Sequence, residues 1–496
     1  MHEHLLPSAH EIEHDVRSMV DLGPRYTATA PHREWIDSIE DSFQRSSLRT
    51  MRDTYSFHQW LAKRWSLELL DGLGHGQVPV AAYYTYSGRT PAHGVTGDLV
   101  YLGPAAIPAL PGNPLDILTT TTALESWRGQ AVEGLKAAIA KVPGGVKDRI
   151  VLFEDPVAPL SIGDFDPLLT FRYDPHDPID DTDDYKRVWT TILTVMQLSV
   201  FKAAGAKGVV FILDASHANA VGQYTPFIDG YQELPALIVD REQGARLRTA
   251  AQHGATTRLV LEASYEKKNS DSLVGILPGA TDEVMIVNTH TDGMNAFEEN
   301  CGVALKRIAH YFSRIPASQR RRTLVFSATT GHFGPGLPGT QGFIDAHPGL
   351  IKRSAAAVTI EHFGAREWID DARGYHPTGR WEMGVIFHSQ TPIAAPGIAS
   401  IKATKLRRSE LLRPIGDTFF GVGAALHSAG VPSLAYIGGP NYLLAQARNG
   451  HLDKFDPVRM RREISWTVDV LHRLDPIPAA VLAAGDSTVL RGGVAN

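Results

Sequence analysis

The stretch from residue 286 to 302 reads IVNTHTDGMNAFEENCG and joins an apolar run to side chains that bind divalent metal ions. His290 and Asp292 follow the run, and Glu298 and Glu299 come shortly after them. An extended backbone projects alternate side chains to one side, so we expect the Asp292 carboxylate to accept the proton of the His290 ring nitrogen that binds no metal. One glutamate is a candidate metal ligand and the other a candidate helix cap or base, because a helix start favours acidic groups.

Two further segments place similar side chains at the ends of apolar runs. His332 stands in TLVFSATTGHFGPGLPGTQGF, on a glycine-rich turn that permits close approach of a ligand. Glu361 and His362 end the run AAAVTIEHFG, where an unpaired glutamate is costly to bury. Carboxylates and imidazoles gathered at one edge repel and desolvate one another unless a cation or a proton balances them. The segments together therefore predict a site for a divalent metal ion.

The alternation of strands and helices after residue 270 predicts how these segments meet. Strand candidates are SLVGILPG, VMIVNTH, TLVFSATTG, AAAVTIEHFG, MGVIFHS and SLAYIGG, with helical segments between or after them. This order predicts an α/β fold with a doubly wound, mostly parallel sheet flanked by helices. Ligands of such sheets bind beyond the carboxyl ends of the strands, which is where His290, His332 and Glu361 fall.

Upstream of this zone the sequence pattern changes twice. Residues 8–88 are predicted to be largely helical, with HEIEHDVRSMVDLG and HREWIDSIEDSFQRS covering the sheet. From residue 94 to 264, short β-branched runs bounded by turn residues predict a smaller β-rich unit. The acidic stretch at 174–184 is predicted to be an exposed loop, because it lacks the ligand spacing of a calcium loop.

Composition narrows the classes of partner. A chain of 496 residues exceeds the length at which one core usually stops growing, so we expect two or more domains. The formal net charge of -6 argues against nucleic acid or an acidic membrane surface as a partner. The single cysteine, Cys301, leaves no intrachain disulfide and fits a reducing compartment. Since no leader or membrane-spanning stretch is evident, we expect a cytoplasmic protein.

The order of these motifs resembles that of the co-catalytic zinc aminopeptidases and their glutamate-carboxypeptidase-like relatives. THTDG, EENCGVALKRIA, TTGHFG and TIEHFG stand where that family has its metal-site motifs, and Asp417 stands where it has a further aspartate. The middle zone resembles the protease-associated domain that is often inserted in the family. The resemblance implies a zinc-exopeptidase-like fold in three parts: residues 1–93 and 269–496 form the catalytic domain, and residues 94–268 form a smaller, β-rich protease-associated-like insert.

The sequence departs from the family pattern where the second metal would bind. His332 and Phe333 replace a Gly-Glu-Glu glutamate pair whose members act as base and ligand, and the closing histidine of the family falls on or near Gln446, with His451 close by. Carried over position by position, the resemblance therefore implies one metal rather than two. The implied ligands are His290, Glu298 or Glu299, and Glu361, with Asp292, Asp417 and His451 as supporting residues or extra ligands.

The resemblance, more than the spacing of these residues, implies a metal-dependent hydrolase of an amide, peptide or related carbonyl bond in a peptide or small molecule. His332 is the candidate acid or base, and Glu299 or His362 could do the same work. Zinc is the first choice of metal, with iron or manganese as alternatives, because the ligand set does not discriminate strongly. The missing glutamate base keeps open a non-hydrolytic lyase or isomerase, and the lost ligands keep open an inactive binding protein.

Residues around the predicted site have further candidate roles. Cys301 is interpreted as a packing residue rather than a nucleophile. Arg366 and Glu367 are candidates either for binding a polar substrate group or for a surface ion pair. Members of the related family include dimers, so a homodimer is one expected form. Candidate crevice-lining residues, which are equally compatible with a core position, are the aromatic side chains Phe333, Phe363, Trp368 and Trp381.

Overall fold

The structure is a computed structural model that describes residues 1–72, 74–103, 121–190, 198–224, 230–416 and 419–484, with only the backbone considered at 121–124. The helices within these ranges are α1 Ala9–Asp21, α2 Ala30–Arg45, α3 Thr121–Lys141, α4 Leu198–Ala203, α5 His217–Ala220, α6 Arg241–Gln252, α7 Cys301–Ser313, α8 Gly339–Ala346, α9 Pro348–Lys352, α10 Ala394–Thr404, α11 Ala424–Ser428, α12 Pro457–Leu474 and α13 Ala479–Leu482. The strands are β1 Arg49–Leu69, β2 Gly76–Val78, β3 Ala82–Tyr83, β4 Val95–Tyr101, β5 Ile150–Asp155, β6 Leu169–Tyr173, β7 Gly208–Leu213, β8 Ala236–Val239, β9 Thr256–Leu277, β10 Val284–His290, β11 Thr323–Thr329, β12 Ser354–Glu361, β13 Arg366–Asp371, β14 Gly374–Trp381, β15 Gly384–His388, β16 Ser409–Leu412 and β17 Ser433–Gly438.

The centre of the molecule is a mixed, mostly parallel sheet. Its strand order is β9-β11-β10-β12-β17-β15-β16-β6, and β10 runs parallel to both β11 and β12. The register places His290 opposite Thr329 at the carboxyl ends of β10 and β11. The predicted α/β fold is confirmed, and the segments with metal-capable side chains end at the same edge of the sheet.

Helices cover both faces of this sheet. On one face, α1, α2, α7 and α12 pack over alternate residues of the central strands, such as Met285 and Val287. On the other face, Phe343 of α8 and Leu426 of α11 pack over the intervening residues Val284 and Ile286. This alternation explains why the strands read as nearly continuous apolar runs, since both faces of a covered parallel sheet are buried.

A pair of long antiparallel strands joins the central sheet to a second group of strands. β1 pairs with β9 from Arg49 opposite Ile276 to Leu69 opposite Thr257. The prediction of a largely helical segment over 8–88 is therefore wrong beyond α2. The side chains of β1 are half-buried with an irregular pattern, so their periodicity did not separate a strand from a helix.

The second group of strands has the order β3-β8-β7-β5-β4 and joins the central sheet where β4 pairs with β9. β6, which also lies within the predicted insert, pairs instead with β16 of the central sheet. Residue 268, the predicted end of the insert, lies within β9. The division into a split catalytic domain and a protease-associated-like insert stays a prediction.

Within the described residues, none of the helices combines the length and the apolar character needed to cross a membrane.

Candidate metal centre

Five side chains from separate segments converge at the carboxyl ends of β10, β11 and β12. His290 and Glu361 are the last residues of β10 and β12, and His362 follows directly. His332 stands in the turn after β11, and Glu298 precedes α7. These five residues, His290, Glu298, His332, Glu361 and His362, are called the site cluster below.

The potential ligand atoms of the site cluster lie at distances that suit a shared ion. Glu298 Oε1 is 3.1 Å from His332 Nε2, and Glu298 Oε2 is 3.5 Å from His362 Nε2. His290 Nε2 is 3.9 Å from Glu361 Oε2. Ligand bonds of about 2.1 Å at tetrahedral or octahedral angles bring ligand atoms to about 3.0–3.4 Å from one another. The ligand atoms form two groups of three, with atoms within 4.8 Å of one another, and the groups share His290: one adds Glu298 and His332, and the other adds Glu361 and His362. Side-chain adjustments would bring the two groups onto one ion.

The site cluster is buried, yet several of its polar atoms make no aligned hydrogen bond. Glu298 and Glu361 are 0% exposed, His290 is 1% exposed and His362 is 2% exposed. His290 Nε2, both Glu298 oxygens, Glu361 Oε2 and His362 Nε2 lack hydrogen-bond partners within the described part of the chain. Buried polar atoms are rarely left unsatisfied, and their convergence fits a cation that would satisfy them together.

Backbone groups hold the opposite ends of these side chains. His290 Nδ1 is 3.0 Å from the backbone carbonyl of Asp292, and His362 Nδ1 is 2.7 Å from that of Gly438. In the neutral rings, donation from Nδ1 leaves the lone pair on Nε2, the atom that faces the site cluster. Glu361 Oε1 accepts a 2.9 Å hydrogen bond from the amide of Val422, which leaves Oε2 free.

The role expected for the Asp292 side chain is corrected by this arrangement. The backbone oxygen of Asp292, not its carboxylate, faces His290 Nδ1. The carboxylate accepts hydrogen bonds from the Thr27 hydroxyl and from the amides of Gly331, His332 and Phe333, the last at 2.9 Å. Asp292 thus fixes the turn that carries His332. Burial acts to raise its pKa, but nearby groups, including His32, His290 and the Thr27 hydroxyl, lower it.

Within the described residues, Glu299 belongs to neither group of possible metal ligands, although it is the neighbour of Glu298. Its Oε1 accepts a hydrogen bond from the Nε of Arg25 in a fully buried ion pair. Burial raises the pKa of Glu299 to about 7, against the opposing effect of Arg25. The structure therefore favours Glu298 over Glu299 as the ligand. No pattern in the sequence marked Arg25, Thr27 or His32 as neighbours of the site. Arg25 and Thr27 lie in the connection between α1 and α2, and His32 lies in the first turn of α2.

The charges of the site cluster influence one another strongly. Burial lowers the pKa of His290 to about 3, and the neighbouring His332 adds to this effect. Burial also acts to lower the pKa of His332 and of His362, but Glu298 outweighs it and raises both. In Glu298, burial acts to raise the pKa, while His362 and His332 lower it below its usual value. Glu298 and the imidazoles of His332 and His362 therefore favour one another's charged forms.

Other predicted site residues lie outside this constellation or beyond the described ranges. Within the described residues, His451 belongs to no group of three metal-capable side chains with ligand atoms within 4.8 Å, and burial lowers its pKa to about 4. Asp417 lies outside the described residues. Cys301 is buried at the start of α7, where burial raises the pKa of its thiol, so it does not form a reactive thiolate. Gln446 is exposed and accepts a hydrogen bond from the hydroxyl of Tyr26.

The aromatic candidates for the crevice wall separate into two sets. Phe333 is buried between His332 and Tyr224, with ring centroids 4.9 and 5.5 Å away. Phe363 is also buried, while Trp368 and Trp381 are half-buried beneath cationic side chains. Phe333 therefore lies beside the site cluster, in contact with His332. The two tryptophans pack against Lys454 and Arg407 instead.

Arg366 forms a surface ion pair, which is one of the two roles considered for it, whereas Glu367 belongs to a buried ion network. Arg366 is 3.3 Å from Asp456 at the surface. Glu367 is buried and is 2.9 Å from both Arg408 and Arg380. A buried carboxylate held between two guanidinium groups is a structural feature, so Glu367 is not available to a substrate.

Comparison with known proteins identifies the fold through structure alone. No protein-family model and no curated protein sequence matches the chain. An aminopeptidase from Aneurinibacillus sp. strain AM-1 is 14% identical, with a TM-score of 0.57, covering 94% of each chain. A zinc aminopeptidase from Bacillus subtilis is 13% identical, with a TM-score of 0.59, covering 96% of this chain and 98% of the other. A peptidase precursor from Shewanella amazonensis is 14% identical, with a TM-score of 0.63, covering 94% and 96%. The chain has the predicted zinc-aminopeptidase-like α/β fold over nearly its whole length.

Proposed function

We propose that this protein is a metal-dependent hydrolase of an amide, peptide or related carbonyl bond, with one divalent ion held by the site cluster. The proposal is carried by the convergence of buried nitrogen and oxygen atoms of His290, Glu298, Glu361 and His362 that lack hydrogen-bond partners within the described part of the chain. The likeness of fold to aminopeptidases supports the hydrolytic reaction class. A small molecule or a peptide remains the expected substrate.

The residues of the site cluster divide into holders of the ion and a residue at its open side. His290, Glu298, Glu361 and His362 are nearly inaccessible, so they would hold the ion. The His332 side chain is 13% exposed and is therefore the member that a substrate can reach. A bound divalent ion would polarise a carbonyl group or lower the pKa of water. His332 would move the proton, with Glu298 holding its imidazole in place.

The ligand atoms set the order of preference among metals. The two imidazoles and two carboxylates that would hold the ion supply nitrogen and oxygen but no sulfur. Zinc accepts this set and is the first choice, while iron and manganese accept it too.

The proposal is tested by metal analysis and isotope labelling. We expect the purified wild type to contain zinc, iron or manganese, and His290→Ala to lose both the metal and turnover of a panel of aminoacyl anilides and dipeptides. His253→Ala is the matched control, because His253 is exposed and lies outside the site cluster. Hydrolysis in ¹⁸O-labelled water should place the label in the product. A metal-free protein with full activity would end the proposal.

A second candidate is a non-hydrolytic lyase or isomerase on the same metal site. The observation that favours it is Phe333, which is buried where the resemblance implies a glutamate. Turnover without incorporation of ¹⁸O into the product would support this reaction class. An inactive binding protein would instead show neither bound metal nor affinity for added zinc, iron or manganese.

A further inference from the structure

We propose that the guanidinium of Arg25 occupies the place of a second cation, so that the site accepts one divalent ion instead of two. This inference rests on the metal site proposed above. It concerns a residue that lies outside the site cluster and acts through Glu299, which makes Arg25 a positioning residue rather than a catalytic one.

The contacts of Arg25 show that the guanidinium is fixed. Its Nε donates to Glu299 Oε1, and both residues are buried, at 1% and 0% exposure. The remaining nitrogens donate to backbone carbonyls, with Nη1 3.0 Å from Met19 O and Nη2 2.6 Å from Asn295 O. A guanidinium with donors directed at a carboxylate and at carbonyls has little freedom to leave.

Glu299 retains the capacity to bind a cation. Its Oε2 makes no hydrogen bond within the described part of the chain. The oxygen lies against the backbone of Gly293, where a Cβ atom would come within 2.0 Å of it, so the glycine leaves room for this carboxylate. The carboxylate of Glu298, in contrast, contacts the imidazoles of His332 and His362. Adjacent carboxylates are thus directed to two positive partners, which are the proposed ion and Arg25.

A count of charges agrees with one ion. When both are ionised, Glu298 and Glu361 would carry two negative charges, which one divalent ion would neutralise. Arg25 neutralises Glu299, and the Asp292 carboxylate is satisfied by the amides of residues 331–333 and by the Thr27 hydroxyl. A second divalent ion would add positive charge beside a buried guanidinium that cannot lose its proton, which is unfavourable in a buried site.

The test measures zinc stoichiometry rather than activity. Metal-stripped protein is titrated with zinc sulfate by calorimetry, and bound zinc is counted by mass spectrometry after gel filtration. We expect one equivalent in the wild type, two in Arg25→Met, and one again in Arg25→Met/Glu299→Gln, which removes the freed carboxylate. Glu299→Gln alone should also bind one equivalent.

The outcomes separate this inference from the proposed function. A wild type that binds no zinc, iron or manganese defeats the metal site itself. One equivalent in both the wild type and folded Arg25→Met, or two in the wild type, overturns the role of Arg25 and leaves the metal site standing. If Arg25→Met folds only when zinc is present, two bound equivalents in the folded variant support the inference and one equivalent overturns it. If Arg25→Met fails to fold even with zinc, the ion cannot replace the guanidinium and the inference is overturned.

Discussion

Two regions of this molecule bury a pair of glutamates, and they neutralise them in different ways. In the site cluster, Glu298 and Glu361 face three imidazoles. Beneath the β13–β14 hairpin, Glu367 and Glu382 face guanidinium groups: Arg187 is 2.6 Å from Glu382, and Arg408 is 2.9 Å from Glu367. The second region, formed by Arg187, Glu367, Arg380, Glu382 and Arg408, is called the hairpin network below.

The chemistry of the cationic partners separates a metal site from a structural ion network. A guanidinium offers only donors and keeps its proton at all ordinary pH values, so it has no lone pair for a metal. An imidazole can release its proton and bind a metal with the same nitrogen. The cationic partners in the hairpin network therefore offer no lone pair to an ion, whereas the imidazoles of the site cluster can exchange protons for one.

The largest expected effect comes from breaking the hairpin network. Arg187→Met removes the guanidinium that faces Glu382 and leaves that carboxylate buried without its partner. We expect the free energy of unfolding to fall by about 3–5 kcal/mol, the usual cost of breaking a buried ion pair. Bound metal should not change. Urea unfolding and metal analysis check the two parts of this expectation.

Arg373→Met is the control for that experiment. Arg373 is 2.8 Å from Asp371 in the same hairpin, but its side chain is 73% exposed. An exposed ion pair contributes about 0–1 kcal/mol, so its loss should be small. Equal effects of the two substitutions, or a loss of metal from Arg187→Met, would contradict the distinction between the regions.

The next effect concerns metal affinity. Glu298→Gln keeps the shape of the side chain but removes the charge that faces His332 and His362. Loss of an outer partner of a ligand typically weakens metal binding about 10–100-fold, so loss of a charged ligand should cost at least about 100-fold. Competition against a chelator measures the affinity. Glu382→Gln is the matched substitution in the hairpin network and should leave the affinity unchanged; an equal loss in both variants would refute the assignment.

The central strands and the edge at which they end could be predicted from the sequence, because these strands are buried on both faces and read as apolar runs. The runs ending at His290 and Glu361 are β-branched and short, and the alternation with helices predicted a parallel sheet. Parallel strands end at one edge, so the sequence predicted that their final residues would lie together. In the structure, His290 and Glu361 end neighbouring strands, and His290 belongs both to a group with Glu298 and His332 and to a group with Glu361 and His362. That these residues hold a metal stays a prediction.

Other features depend on contacts between distant segments, which one sequence does not reveal. The direction of Glu299 is set by Arg25, 274 residues earlier in the chain. The spacing of His290 and Asp292 indicated that they meet, but not that the backbone oxygen of Asp292 would face the ring. β1 was missed because its partner β9 lies about 200 residues further on, and β propensity depends on such context.

The buried imidazole of His32 adds a contrast that depends on pH. In His32, Nδ1 accepts a hydrogen bond from the amide of Ala28 and Nε2 is 2.9 Å from the Thr291 hydroxyl, so neither nitrogen is open to a metal. Burial lowers the pKa of His32 to about 4, although Asp292 opposes the shift. The unfolded chain takes up this proton below about pH 6.5, and the folded chain does so only near pH 4. Stability should therefore fall as the pH drops from 6.5 to 4, by up to about 3 kcal/mol from this residue.

Urea unfolding across that pH window tests the role of His32. In His32→Asn, which cannot titrate, the loss of unfolding free energy on acidification should be smaller than in the wild type. His10→Asn replaces an exposed histidine and should follow the wild-type dependence. If His32→Asn also follows the wild type, His32 is not the buried neutral imidazole described here.

The smallest expected effect comes from a matched pair of threonines. Thr27 donates to the buried carboxylate of Asp292, and Thr378 donates at 2.7 Å to the buried carboxylate of Glu367. Valine has the same shape without the donor, so each substitution should lower the free energy of unfolding by about 1 kcal/mol. Only Thr27→Val should also weaken metal binding, by about 10-fold or less, because Asp292 fixes the turn that carries His332.

Parallel chelator competition and urea unfolding on the two threonine variants decide the point. Similar losses of stability with a loss of metal affinity in Thr27→Val alone would show that the regions share hydrogen-bond energetics and differ in their use of the carboxylates. In the hairpin network, the Glu367 carboxylate only pairs with its neighbours. Beside the site cluster, the Asp292 carboxylate also positions the imidazole of His332. Weaker metal binding in Thr378→Val would mean that the two regions are coupled, and the separation drawn between them would not hold.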